Sequence, residues 1–244
     1  GNILNIARQV STLAIVAFGM TIAMAGGDFD LSVGSVASLS GVVVTGLIAG
    51  GMNTLLGVFV ALLIGAIFGL TSGIISTRVG IPSLIVTLGV SSIAVGINFM
   101  FTEGKAIYGG LPISFTGIGR GLLFGIPTPV IIMLIIGIIV YCFLNYTKPG
   151  RYIYATGGNA TAAKLSGIRT LHYRTLGLMF SGIGAAIAGV ILAARLGSGQ
   201  PTAGDSFLMD GLAAVFIGMT TIRMGQPNIV GTFVGVLLIG ILNN

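Results

Sequence analysis

The sequence predicts an all-α fold: a polytopic transmembrane helix bundle with broken or re-entrant helices and a candidate internal repeat. Three observations predict it. Of the 244 residues, 55% are hydrophobic and only 7% charged, against about 25% charged in a soluble domain, so the surface suits lipid rather than water. Long apolar runs without charge recur along the chain, each near the about 20 residues that cross about 30 Å of hydrocarbon. Glycine, at 41 residues, punctuates those runs, and small residues let helices approach where lipid gives them no hydrophobic reason to associate. Residues 1–244 are therefore expected to form a single transmembrane domain.

The apolar runs lie at 9–26, 31–50, 52–75, 81–101, 127–146, 173–194 and 228–243, with a shorter one at 211–222 that either spans or re-enters. Gly46–Gly50, Gly65–Gly69, Gly69–Gly73 and Gly231–Gly235 have the GxxxG spacing of close helix packing. The chain opens at Gly1 without an initiator Met or a signal-peptide pattern and stops at Asn244 in an apolar run, so further helices are expected at both ends. Cys142 is the single cysteine, which excludes an internal disulfide.

Charge sets the orientation. The formal net charge is +6, but its distribution indicates topology rather than nucleic acid. Lys148, Arg151, Lys164, Arg169 and Arg174, with His172, fall in the loop 147–174 and no acid joins them, so this loop is expected in the cytoplasm. Arg78 then lies on the same side, and the loop 102–126, Arg195 and Asp205 lie on the other. Basic residues that merely anchor a loop would need no further pattern. Here Asn159 is placed to cap a helix, Ala160 to Ser166 can form two turns, and Gly167 suits a left-handed C-cap. So short a helix is not stable alone and fits a groove on a partner.

The five acidic residues include two pairs at the edges of apolar runs. Gly27-Asp28-Phe29-Asp30-Leu31-Ser32-Val33-Gly34 and Gly204-Asp205-Ser206-Phe207-Leu208-Met209-Asp210-Gly211 both read G-D-x-x-L-x-x-G. Acids near the bilayer are placed for a reason. The recurrence suggests two halves with broken segments beside a translocation path, in which the Asp residues cap the following helices. Asp28, Asp30, Ser32, Ser35, Asp205 and Asp210 are the candidates for the path or the helix breaks. An ordinary interfacial Asp that happens to recur is the competing explanation.

No G-x-x-x-x-G-K-[ST] loop occurs, so ATP hydrolysis is not expected from this chain. There is no C-x-x-C, H-E-x-x-H or G-x-S-x-G motif, and one His with one Cys argues against a metal site. Neither a cofactor nor a catalytic site is expected. Few charges lie within the apolar runs, which weakens a proton-relay or voltage-sensing role. The sequons at Asn145 and Asn159 fall at the cytoplasmic face and are attributed to chance.

Gly26-Gly27-Asp28-Phe29-Asp30-Leu31-Ser32-Val33-Gly34-Ser35, then Gly157-Gly158-Asn159 through Ala162-Ala163 to Leu165-Ser166-Gly167-Ile168, then Gly204-Asp205 through Asp210 and Ala213-Ala214 to Gly218, together resemble the permease subunits of bacterial ABC sugar importers of the ribose, xylose and galactose type. Arg78-Val79-Gly80-Ile81-Pro82-Ser83 sits where such permeases carry a short cytoplasmic turn. The resemblance covers nearly the whole chain, although the segment 220–228 differs from the Gly/Ser-rich form common in ribose permeases. It implies a monosaccharide importer in the bacterial inner membrane, with cytoplasmic ABC ATPase subunits and a second permease chain. A periplasmic or lipid-tethered sugar-binding protein would deliver the solute. It also implies a coupling helix carrying Asn159, Ala162, Ala163, Leu165, Ser166, Gly167 and Ile168. Autoinducer-2 and branched-chain amino acid permeases are relatives with similar organisation. Ser32, Ser35, Ser38 and Ser40 are candidates to line a weakly specific path, although their spacing prevents all four from sharing one helix face. A secondary transporter or channel, and a structural subunit with no path, are the competing readings.

Overall fold

The computed structural model describes residues 2–243. Its helices are α1 (Asn2–Ala25), α2 (Val33–Ala49), α3 (Thr54–Ile74), α4 (Ser83–Thr102), α5 (Ile113–Arg120), α6 (Thr128–Tyr146), α7 (Lys148–Gly158), α8 (Ala160–Leu165), α9 (Thr170–Leu196), α10 (Ser206–Thr221) and α11 (Ile229–Leu242). A π-helical turn, Ile75–Val79, extends α3. Helices α1, α3 with its turn, α4, α6 and α9 are long and apolar enough to cross a membrane, while α2, α10 and α11 are shorter. Two antiparallel ladders of two residues each close the loops at one end: β1 (Ile107–Tyr108) on β4 (Ser198–Gly199), and β2 (Leu122–Leu123) on β3 (Ile126–Pro127). This is the far end; the opposite, basic end carries the loop 147–174.

Helix α9 runs through the middle, packed on α1, α2 and α3. The contact with α3 follows its glycines. A Cβ added at Gly69 would lie 2.8 Å from the Cα of Met179, and one at Gly73 would lie 2.7 Å from the Cα of Thr175. The backbones therefore meet with no room for a side chain, which is how helices gain dispersion contact in lipid. Gly231 and Gly235 of α11 approach Gly218 and Ala214 of α10 in the same way. Gly46 departs from the expected backbone packing and faces the ring of Phe101. Hydroxyl pairs tie neighbouring helices, Thr21 to Thr232 at 2.8 Å and Thr77 to Thr175 at 3.1 Å.

Two breaks interrupt the bundle. The first, residues 26–32, leaves α1 at the basic end through Gly27, in the left-handed region at φ 87°, and returns inward without regular structure. The apolar run at 31–50 thus becomes a helix only from Val33. The second break, residues 197–205, leaves the far end of α9 and also returns inward. The two meet inside the bundle. A Cβ on Gly34 would lie 2.8 Å from the carbonyl oxygen of Gly204, and the Gly204 amide donates to Ser38 Oγ at 2.9 Å.

From this meeting point α2 runs to the far end and α10 to the basic end. The stretch 206–221 therefore crosses only the inner part of the bundle, and Arg223 falls at the basic end, beside α7. The series α1, break, α2, α3 recurs inverted as α9, break, α10, α11, an arrangement found in transporters.

Candidate functional site

The breaks expose backbone to an environment without water, where each unpaired N–H or C=O is costly. Helix α4 supplies much of the compensation. The amide of Phe29 donates to Ser83 Oγ at 3.1 Å, and that of Leu31 donates to Thr87 Oγ1 at 3.1 Å. At the other end of α4, Asn98 Nδ2 donates to the Pro201 carbonyl in the second break at 2.7 Å. The buried face of α4 carries Ser83, Thr87 and Asn98 among Val86, Val90 and Ala94, and these three polar residues satisfy the two segments.

The acids of the breaks do different work from that expected. Asp28, 1% exposed, accepts from Arg174 Nε on Oδ2 at 2.9 Å and from Nη2 on Oδ1 at 2.5 Å. It ties the first break to α9 and caps no helix. Asp30, equally buried, receives the Ser32 amide at 2.9 Å and the Ser32 hydroxyl at 2.6 Å on one oxygen. Asp205 stands at the N-cap of α10 but makes no side-chain cap bond. Asp210 lies within α10 and accepts from Asn243. The capping expectation therefore fails for all four: the first pair binds side chains and loop backbone around the break, and the second faces open space or another helix. The two G-D-x-x-L-x-x-G stretches share letters but occupy different environments.

Ser32, Ser35, Ser38 and Ser40 are all buried, since α2 is enclosed by α3, α4, α9 and α10. Ser35 donates to the Ser32 carbonyl and Ser38 to that of Gly34. Within one chain they hold the turn of α2 and its contact with the second break.

The basic end is built on α7 and α8. Lys148–Gly158 forms an amphipathic helix begun by Thr147, whose hydroxyl accepts from the Gly150 amide, with Pro149 in the first turn where its missing N–H is harmless. Fully buried Ile153 anchors it, lying against the end of α1 at Gly26. Tyr154 donates to the Pro227 carbonyl at 2.9 Å. Burial pushes its phenol up, against an opposing pull from Arg223, so the hydroxyl keeps its proton for that bond.

Helix α8 has the expected limits. Asn159 Oδ1 accepts from the Ala162 amide at 2.9 Å. Gly167, at φ 82°, ends the helix with Gly167 N–H on the Lys164 carbonyl and Ile168 N–H on that of Ala163, the paired bonds of a Schellman turn. Ala163 is buried and Ile168 half-buried, fixing the helix to the bundle. Ala162, Ser166 and Gly167 are exposed, and Leu165 is 85% exposed. Beside α8, Tyr152, Ser166, Ile168, Arg169, His172 and Tyr173 border a cavity of about 500 Å³. A short capped helix, an exposed leucine and surrounding cations thus occupy one face. The amphipathic α7 and the Asp28–Arg174 pair escaped sequence reasoning. The signals available for them were Pro149 at a helix start and Arg174 as the one cation of the loop that also falls inside an apolar run, 173–194.

A bundle of apolar helices with two breaks that meet inside it and a short capped helix at its basic end defines a membrane-embedded transport subunit. The chain belongs to the family described as branched-chain amino acid transport system / permease component, whose model matches residues 2–244. It is 41% identical over 244 residues to the ribose import permease protein RbsC of Bacillus subtilis, covering 100% of this chain and 76% of that protein. It is 33% identical over 244 residues to the D-allose transport system permease protein AlsC of Escherichia coli K12, covering 100% and 74%. It is 34% identical over 243 residues to the L-arabinose transport system permease protein AraH of the same strain, again covering 100% and 74%. No solved structure gives a significant match.

Proposed function

We propose that the chain is the membrane-spanning permease of an ATP-driven monosaccharide importer, with the basic end in the cytoplasm. The observation that carries this reading is the surface of α8: a capped helix of six residues that leaves Leu165 largely exposed, in a chain similar along its full length to pentose and hexose permeases. An apolar side chain held out on a rigid helix is suited to a groove in a partner. The partner is a cytoplasmic ABC ATPase subunit, which would supply hydrolysis that this chain lacks the phosphate-binding loop to perform. A second permease chain would complete the path, and a periplasmic or lipid-tethered sugar-binding protein would deliver solute at the far end. The bacterial inner membrane is the corresponding location. Closure of the ATPase dimer would push α8, and through α7 and Arg174 the first break, giving alternating access.

The test is co-purification in mild detergent followed by reconstitution. A P-loop ATPase should accompany the protein and be lost on Leu165→Asp, with ATP-driven sugar uptake lost alongside. Retention of the ATPase and full uptake in that variant would remove α8 as the docking element. Uptake driven by an ion gradient without any ATPase would replace the importer reading by a secondary transporter or channel.

A further inference from the structure

The far half of the bundle holds a pocket that none of the preceding assignments uses. It lies between α1, α9, α10 and α11 and has a volume of about 180 Å³. That is a small enclosure, on the scale of a small cyclic polyol rather than of a peptide or a nucleotide. Gln9, Thr12, Arg195, Ser206, Asp210 and Asn243 supply its polar wall. Leu192 and the ring of Phe207 supply an apolar one. Its floor includes Ala203 of the second break, one residue from the Gly204 that rests on Gly34.

The charges inside it set the chemistry. Arg195 and Asp210 line the same small space, yet the ion pairs among the described residues are Lys105–Glu103 and Arg174–Asp28. A guanidinium and a carboxylate that share a half-buried cavity attract strongly, and here they stand apart with space between them. Asp210 takes a hydrogen bond from Asn243 at 3.3 Å, which orients the carboxylate without neutralising it. The wall thus offers donors from Arg195, Gln9 and Asn243, acceptors from Asp210 and Gln9, and an apolar face. Its formal charges cancel, which suits a neutral ligand with hydroxyls that donate and accept around an apolar ring face. Access is from the far end: a larger cavity of about 500 Å³, bordered by Asn5, Arg8 and Arg120, shares Gln9 and Arg195 with the pocket.

We infer that this pocket is a binding site for one neutral monosaccharide within the single chain, gripped between Arg195 and Asp210 above the second break. The inference rests on the sugar-importer reading for the class of solute, and it adds a solute contact that the permease makes by itself. Such a site would hold sugar after its release at the far end and place it on the segment that meets α2.

The chain has no Trp, so Phe207→Trp installs a single reporter in the pocket wall. The protein, in lipid nanodiscs without ATPase, is titrated with D-ribose, D-allose and L-arabinose by fluorescence. The unsubstituted protein is examined by saturation-transfer NMR, which does not depend on the reporter. Saturable binding of at least one sugar is expected. Asp210→Asn and Arg195→Gln should each weaken it by about tenfold or more, the loss of one charge-assisted hydrogen bond, and outward-facing Met209→Ala should leave it unchanged. Absence of saturable binding in both readouts overturns the site, as does binding indifferent to both pocket substitutions. ATP-driven uptake by the reconstituted importer is measured in parallel. Uptake without pocket binding overturns this inference alone, whereas pocket binding without any ATP dependence supports the site and overturns the importer reading.

Discussion

Asp28 and Arg174, 146 positions apart in the chain, meet in a two-pronged ion pair at the basic end of the bundle. Planar guanidinium and carboxylate groups match in this geometry, which gives direction as well as strength. The pair fixes the start of the first break to the start of α9, the helix that touches most of the bundle. Removing one partner leaves a charge without compensation, at about 3–5 kcal/mol for a buried pair. Arg174→Ala strands the buried Asp28 carboxylate and should therefore lower the unfolding free energy in detergent by that order, with Asp28→Ala falling short of it because the arginine left behind is partly exposed. The double variant should recover part of the loss. Strict additivity in the double-mutant cycle would show that the pair contributes nothing as a pair.

Gly69→Ala should separate α3 from α9. Its new methyl group would meet the backbone of Leu178 and Met179, which cannot turn aside as a side chain can, and overpacking of this kind costs about 1–3 kcal/mol. Gly89→Ala on α4 meets nothing within 4 Å and should leave stability unchanged or slightly raised, as helix propensity dictates. Thermal midpoints of the two variants in the same detergent check the contrast, and equal behaviour would contradict the close α3–α9 contact.

Thr87→Val keeps the shape of the side chain but removes the acceptor for the Leu31 amide. A buried N–H left without a partner costs about 1–3 kcal/mol. Hydrogen exchange should accelerate at residues 28–32 while α1 and α9 stay protected. Asn98→Leu should have the corresponding effect on residues 199–204 through Pro201. Unaltered exchange in both segments would mean that α4 does not hold the breaks.

Gly167→Ala forces an alanine into a left-handed turn, at roughly 1–2 kcal/mol, with no neighbour within 4 Å to clash. The bundle should keep its thermal midpoint, because α8 contributes only Ala163 to the buried interior of this region. ATPase stimulation and uptake should fall. Asn159→Ala, which removes the cap at about 1 kcal/mol, should act in the same direction. A drop in bundle stability with normal coupling would reverse the assignment.

Much of the fold could be read from the chain because apolar runs and helices coincide when lipid is the solvent: the run at 81–101 is α4, and that at 127–146 is α6. Helix α8 was legible from Asn159 and Gly167, since capping depends on residues only a few positions apart. What remained hidden depended on partners distant in sequence. Arg174 stood among the basic residues of the loop, and only the folded chain shows it turned toward Asp28. Lys148–Gly158 carries glycines and has little intrinsic helix preference, so its helix is stabilised by burying Ile153 and by the Tyr154 bond to Pro227. The letters shared by the two breaks suggested equal roles for Asp28 and Asp205, but one is enclosed at the basic end and the other is exposed at the head of α10. The pocket around Asp210 was visible only as one candidate residue, since Gln9, Arg195 and Asn243 come from three other segments.

The grip of α4 on both breaks has a kinematic consequence. From Thr87 to Asn98 the axis advances about 16 Å at about 1.5 Å per residue, so the two points of attachment lie far apart on one stiff rod. Rolling that rod about its own axis carries both attached segments to the same side. Rocking it about its midpoint carries them to opposite sides, drawing one away from the junction of Gly34 and Gly204 as the other is pressed toward it. A single rigid lever with a handle at each end thus links the two breaks by geometry, and neither can shift through α4 without the other feeling the displacement.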